Sequence, residues 1–288
     1  MTQTLVPPSG ARSSARLITL LRRNGSLTAG LLLISVFVIT ALISFAFPDA
    51  AFYEQSLGDR LLSPNATYWL GTDDLGRDLL MRTIAGARVT LLMVLLVALV
   101  AGPLGLLLGA TSGYVGGWLD KALMRLTDIV LALPRLVLAL ALAAALGAGV
   151  VNAALAIAIT TWPPYARVAR AEAMALRNAD FVIAARLQGA SEGRIVLRYV
   201  LPLCVSSVLV RMSLDMTGVI LTAAGLGFLG LGAQPPMAEW GAMVAAGRST
   251  LIDHPWVAAV PGIAIFLASL GFNLLGEGLR DVLDPRNT

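Results

Sequence analysis

Arg211 and Asp215 stand four residues apart in an otherwise apolar run, 203–227. In a helix that spacing puts both side chains on one face. At 1.5 Å per residue, Arg211 lies roughly 12 Å from the inner end of that helix. Charges at such depth are costly, so they pair or face a polar interior. Two readings stay open: the pair lines a cavity for a polar substrate, or it is structural glue between helices. Other chemistry is thin. Gly225-Leu-Gly-Phe-Leu-Gly230 matches G-x-G-x-x-G. It ends an apolar helix instead of following a strand, which argues against a dinucleotide loop. Lys121 is the sole lysine and follows Asp120, so the chain has no Walker A loop. Cys204 and His254 are the single Cys and the single His. Neither a disulfide framework nor a Cys/His metal cluster follows from them. Carboxylates scattered without such partners offer no hydrolytic constellation. We expect no enzyme and no cofactor bound by this chain.

The background explains why charges are conspicuous. The chain has 288 residues, 57% hydrophobic and 13% charged. Soluble domains carry roughly 25% charged residues. Apolar runs long enough to cross the hydrocarbon core as helices recur along it, and alternating ten-residue segments of a barrel do not. The net charge of +4 then reflects arginines held on the cytoplasmic side, and nucleic acid is not a partner.

The elements that must position the chemistry follow in order. Residues 1–26 form a basic tail with Arg12, Arg16, Arg22 and Arg23. The first transmembrane helix is 27–47. It is too long for a signal-peptide core of roughly 7–15 residues, so we expect it to be retained with the N-terminus cytoplasmic. The segment 48–88 is extracytoplasmic, with Thr72 or Asp73 placed to cap a helix start. A five-helix core, 89–279, follows: span two is 89–110 and span three is 129–147, with Pro134 as a kink. Lys121, Arg125 and Asp128 share one polar face at its foot. Arg135 is awkward there and is expected to snorkel toward the interface, unless the span starts a few residues later. Span four starts at 150, a coupling loop covers 171–202, and span five is 203–227. An outer loop, 228–254, leads to span six, 255–275. The stretch 280–288 is a cytoplasmic tail. Six transmembrane helices with both termini cytoplasmic make an all-α membrane protein.

The longest polar interruption in the second half is 180–202. It mixes Asp180, Arg186, Glu192, Arg194 and Arg198 with the small residues Ala184, Ala185, Gly189 and Ala190. Small residues permit close approach to another surface, and the charges keep the segment out of lipid. We expect a short helix at the membrane face that docks on a soluble partner.

Several stretches resemble the dipeptide/oligopeptide/nickel group of bacterial ABC importers, specifically its second permease subunit. Ile183-Ala184-Ala185, then Gly189, then Leu201-Pro202 is similar to the EAA loop of such permeases, with Ile183 where the family has Glu. Trp162, Arg167 and Arg170 resemble its lead-in. Gly71-Thr-Asp-Asp-Leu-Gly-Arg-Asp78 resembles an outer signature before span two. Phe228 to Pro236 with Glu239-Trp-Gly241, and Asn273 to Arg286, resemble the outer loop and the C-terminal signature.

The resemblance implies a type I importer permease in the bacterial inner membrane, most simply for di- or oligopeptides. Nickel or metallophore and glutathione are alternatives in the same class, and a stand-alone secondary transporter is a distant one. It implies a paralogous permease as heterodimer partner, two ATPase subunits holding ATP and Mg2+, and an extracytoplasmic substrate-binding protein. Ile183, Ala184, Ala185, Arg186, Gly189, Ala190, Leu201 and Pro202 become the ATPase-coupling residues. Arg211 and Asp215 become candidate pathway residues. Thr72, Asp73, Arg77, Asp78, Gln234 and Trp240 become candidate contacts for the binding protein.

Overall fold

The computed structural model describes residues 24–283. The arginines of the N-terminal tail and the last five residues lie outside that range. Helix α1 is Gly25–Ile43, extended by a 3-10 turn at Ser44–Ala46. A short helix α2, Ala50–Tyr53, stands between α1 and the next long helix. Helix α3, Leu79–Val115, runs 37 residues, about 55 Å by helical rise. Helices α4, Gly117–Ala132, and α5, Arg135–Leu146, follow. Helix α6 is Val150–Leu176. The small helices α7, Asp180–Leu187, and α8, Glu192–Ile195, precede a π turn at Val196–Val200. Helix α9 is Leu201–Phe228, α10 is Trp240–Gly247 and α11 is Trp256–Leu283. Four of these segments are long and apolar enough to cross a membrane, or five if the bent pair α4–α5 is one span. Leu32, Leu99, Ile263 and Phe266 are each more than half exposed on their outsides, the surface expected where lipid replaces water.

Helices α3 and α6 form the centre. Glycines recur every fourth residue along α3, at Gly105, Gly109 and Gly113, and so share a face. A Cβ at Gly105 would sit 2.6 Å from Tyr165 Cβ and 2.7 Å from the Trp162 carbonyl. At Gly109 it would collide with the Ala166 carbonyl, and at Gly113 with that of Arg170. This is small-residue packing, which lets two backbones touch where no hydrophobic effect drives helices together. Helices α1 and α11 meet in the same way through Gly30 and Gly278.

Three boundaries differ from the sequence expectation. Helix α3 begins at Leu79, ten residues before 89, because Asp78 caps it: its Oδ1 accepts from Leu80 N at 2.8 Å. Thr72 and Asp73 do not cap it. The expected third span is broken: α4 and α5 meet at 93°. Leu133, before Pro134, is extended at φ −94°, ψ 140°, as the proline ring requires of its neighbour. Helix α11 continues through residues expected to be tail.

Arg135 stands at the break, as expected if the apolar span starts after residue 129. It starts α5 half-buried, and its Nη2 donates to Thr161 Oγ1 of α6 at 2.9 Å.

Candidate functional site

Where α3 and α6 end, α7 stands out from the bundle. Its Val182 and Ala185 are buried, while Phe181, Ile183 and Leu187 are 41%, 43% and 84% exposed. Ala184 and Arg186 share the exposed side. An isolated eight-residue helix is marginal, so its end is fixed by backbone geometry. Gly189 N donates to Arg186 O at 3.0 Å and Ala190 N to Ala185 O at 3.1 Å, with Gly189 at φ +84°. This is a Schellman closure, and glycine fits its left-handed position without strain. No atom lies within 4 Å of where a Gly189 Cβ would be. Gly189 therefore serves the turn within this chain and makes no close approach to any described residue. Leu201 and Pro202 open α9. Proline has no N–H for the turn behind it, and the chain there is wound as the π turn.

A polar joint ties this projecting helix to α3. Tyr114, one residue from the end of α3, donates its hydroxyl to Glu192 Oε2 at 2.5 Å. The Tyr114 hydroxyl oxygen in turn accepts from Arg186 Nη2 at 2.9 Å. Arg186 Nε stands 3.4 Å from Glu192 Oε1, and its guanidinium lies 6.0 Å from the Tyr114 ring centroid. The hydrogen bond to Tyr114, more than any charge, raises the Arg186 pKa. A cleft of about 460 Å³ opens here between Tyr114, Val115, Arg177, Arg186 and Glu192. Nearby, Arg170 of α6 holds Asp120 of α4 through two nitrogens, at 2.5 and 2.7 Å, and Ser112 of α3 donates to the same carboxylate. Arg167 pairs with Asp128 at 2.7 Å. The arginines read as a topology signal thus also lock three helices together. Lys121 and Arg125 stay exposed on the face they share with Asp128.

Higher in the bundle, Arg211 and Asp215 do pair: Nη2 lies 3.1 Å from Oδ1. They are not alone. Arg135 is close enough to Asp215 for their charges to interact. The Tyr165 hydroxyl, fully buried, reaches no hydrogen-bond partner among the described residues. Gly218 makes room for Arg135, whose Nη1 would be 3.3 Å from a Cβ there. The result is a polar band on α5, α6 and α9. Arg135, Thr161 and Tyr165 come from distant stretches and were not singled out with Arg211 and Asp215 from sequence.

At the opposite end of α3, the stretch from Gly71 to Asp78 folds into one hydrogen-bonded unit. Thr72 is fully buried; its hydroxyl donates to Asp59 O at 2.5 Å and accepts from Leu62 N at 2.8 Å. Asp73, 3% exposed, accepts from Leu75 N and Arg77 N through Oδ1 and from Arg77 Nε through Oδ2. Gly71 and Gly76 take positive φ, and a Cβ on Gly76 would strike the Ser56 carbonyl. Trp240 is 3% exposed; its indole donates to Thr83 O at 3.0 Å and covers Gly86. Thr72, Asp73 and Trp240 are therefore internal supports in this chain, not exposed contacts. Arg77 and Asp78 are partly covered, and Gln234 is exposed. Glu239, 2% exposed, accepts from Gly241 N and Ala242 N at the start of α10. Burial pushes its carboxyl up, against the pull of those two N–H groups. The G-x-G-x-x-G stretch serves the same region: Gly227 leaves space for the Glu239 carboxylate, and Gly230, at φ +78°, ends α9 in a second Schellman closure.

Comparison with known proteins adds independent information. Residues 101–288 match the family described as binding-protein-dependent transport system inner membrane component. The chain is 49% identical over 227 residues to the probable D,D-dipeptide transport system permease protein DdpC of Escherichia coli, covering 79% of this chain and 76% of that protein. It is 44% identical over 272 residues to the di/tripeptide transport system permease protein DppC of Pseudomonas aeruginosa, covering 91% and 89%. It is 42% identical over 268 residues to the glutathione transport system permease protein GsiD of Pectobacterium atrosepticum, covering 92% and 88%.

Proposed function

The chain belongs to the family of binding-protein-dependent transport system inner membrane components, and on that premise we propose that it is the permease subunit of an ATP-driven importer of di- and oligopeptides. The carrying observation is the similarity, along nine-tenths of the chain, to the di/tripeptide permease of Pseudomonas aeruginosa. The chain forms half of the translocation pathway beside a paralogous permease. Its six crossings leave both termini in the cytoplasm. Helix α6, rich in Thr, Pro and Ala, is the least apolar of the six, and its burial against α3 supports that place.

ATP and Mg2+ act on two partner ATPase subunits, and this chain holds neither. The exposed face of α7, with Phe181, Ile183 and Leu187, docks on one of them. Ile183 stands in that apolar face, which supports an apolar contact at the position where the family has Glu. A binding protein delivers substrate to the outer side. The polar band of Arg135, Tyr165, Arg211 and Asp215 borders the route for a zwitterionic peptide.

Reconstitution with the partner permease, ATPases and binding protein tests this reading. ATP-dependent uptake of a labelled dipeptide is expected. Uptake by this chain alone, driven by an ion gradient, would refute it. The 42% identity to a glutathione permease favours glutathione as the second substrate to assay, in the same vesicles.

A further inference from the structure

Beside the outer signature loop lies a cavity of about 120 Å³. Asp73, Arg77 and Arg82 make its polar side; Pro236, Met237 and Ala246 are among its apolar walls. Arg82 sits in the first turn of α3 and is only 6% exposed. Its nearest acid is Asp73, and that carboxylate is already engaged by Leu75 N, Arg77 N and Arg77 Nε. Arg82 Nε stands 3.4 Å from Asp73 Oδ2, near enough to pair electrostatically. Yet its Nε and Nη1 are buried and reach no hydrogen-bond acceptor among the described residues. Asp74, the other nearby acid, is 44% exposed, but its Oδ1 is buried, makes no hydrogen bond among the described residues and stands 3.9 Å from Arg77. Arg82 is therefore left with two buried N–H groups that neither carboxylate satisfies. A buried charge without its hydrogen bonds is costly, and a second carboxylate is the group that best satisfies a guanidinium.

We propose that this cavity is a carboxylate-binding site at the outer mouth of the pathway, with Arg82 as its principal donor. The proposal rests on the permease reading. The cavity is smaller than the roughly 300–1,000 Å³ of whole-ligand pockets, so it takes the acidic end of a larger molecule. That end is either the terminal carboxylate of the transported peptide or an Asp or Glu side chain of the binding protein.

The test uses the complete reconstituted complex carrying Arg82→Gln, Arg82→Lys or Ala246→Phe. The last fills the cavity from its exposed rim and leaves both arginines in place. Docking of ligand-free binding protein and ATP-driven uptake of a dipeptide are measured for each. We expect Arg82→Gln and Ala246→Phe to lose at least tenfold in one readout and Arg82→Lys to retain part of it. Weakened docking identifies the binding protein as the source; intact docking with lost uptake identifies the peptide. Unchanged docking and uptake in assembled Ala246→Phe complexes overturn the site, and so do equal losses for Arg82→Lys and Arg82→Gln. Failure of the permease reading is distinct: the wild-type complex would then show no ATP-driven uptake.

Discussion

Tyr114 and Glu192, 78 residues apart in sequence, share a 2.5 Å hydrogen bond that joins the end of the longest helix to the segment projecting from the bundle. Arg186 joins them from the second side. The bond is short, partly solvent-exposed and made to charged groups, so its effect falls more on geometry than on overall stability.

Tyr114→Phe removes the hydroxyl and keeps the ring. Hydrogen bonds to charged groups contribute roughly 1.5–3 kcal/mol when buried, and exposure here reduces that to about 1 kcal/mol. We expect a small drop in thermal midpoint, unchanged pull-down of the ATPases, and a several-fold loss of uptake per ATP hydrolysed. Equal coupling ratios for Tyr114→Phe and wild type would remove the joint from the mechanism.

Glycine substitutions separate packing from conformation. Gly109→Ala drives a methyl into the Ala166 carbonyl, and overpacking of this kind costs about 1–3 kcal/mol. Gly193→Ala meets nothing within 4 Å and has no positive φ. Thermal unfolding in detergent should rank Gly109→Ala well below Gly193→Ala, with the latter at or above wild type.

Glu239 gives the loop before α10 a pH dependence. Its pKa in the fold is raised above the ordinary 4.5, with burial the largest cause. Between the unfolded and folded values the native state holds a proton that the unfolded state has released. Stability is therefore highest at or below the unfolded value and declines as pH rises through the folded one. Glu239→Gln should flatten that part of a thermal-midpoint profile. An unchanged slope in the variant would assign the pH dependence elsewhere.

Arg211 and Asp215 can be separated by a double substitution. If they only pair, Arg211→Met with Asp215→Asn should restore most of the uptake lost in either single variant. If they border the route, the double variant should be at least as impaired as the worse single one. Dipeptide uptake in vesicles of matched permease content decides between the two.

Much of this fold is legible in the residues because each apolar run is long and each break is polar or carries Pro or Gly. Pro134 marks a real break. What spacing cannot give is which of several competent groups a local hydrogen bond selects. Thr72, Asp73 and Asp78 are all capping residue types, and only the fold shows that the first two serve the loop and the third serves α3. Gly189 is visible as a small residue, but its positive φ is a property of the turn, so its role reads as close approach from sequence and as helix termination from structure. Tyr114 and Arg135 have partners 78 and 26 residues away, a distance at which periodicity carries no information. The recurrence of Gly105, Gly109 and Gly113 was open to inspection, since a four-residue glycine spacing within an apolar run is a packing signal in its own right.

Helix α3 begins at the Asp78 cap beside the outer signature loop and ends next to Tyr114 at the opposite face. It is one continuous helix, keyed to α6 through Gly105, Gly109 and Gly113, so a rigid shift of one end would carry the other with it. Any coupling between binding at its two ends is energetically reciprocal. In an importer of the kind proposed, whatever factor ATPase engagement at one end applies to the binding protein's affinity at the other, the binding protein returns to the ATPases.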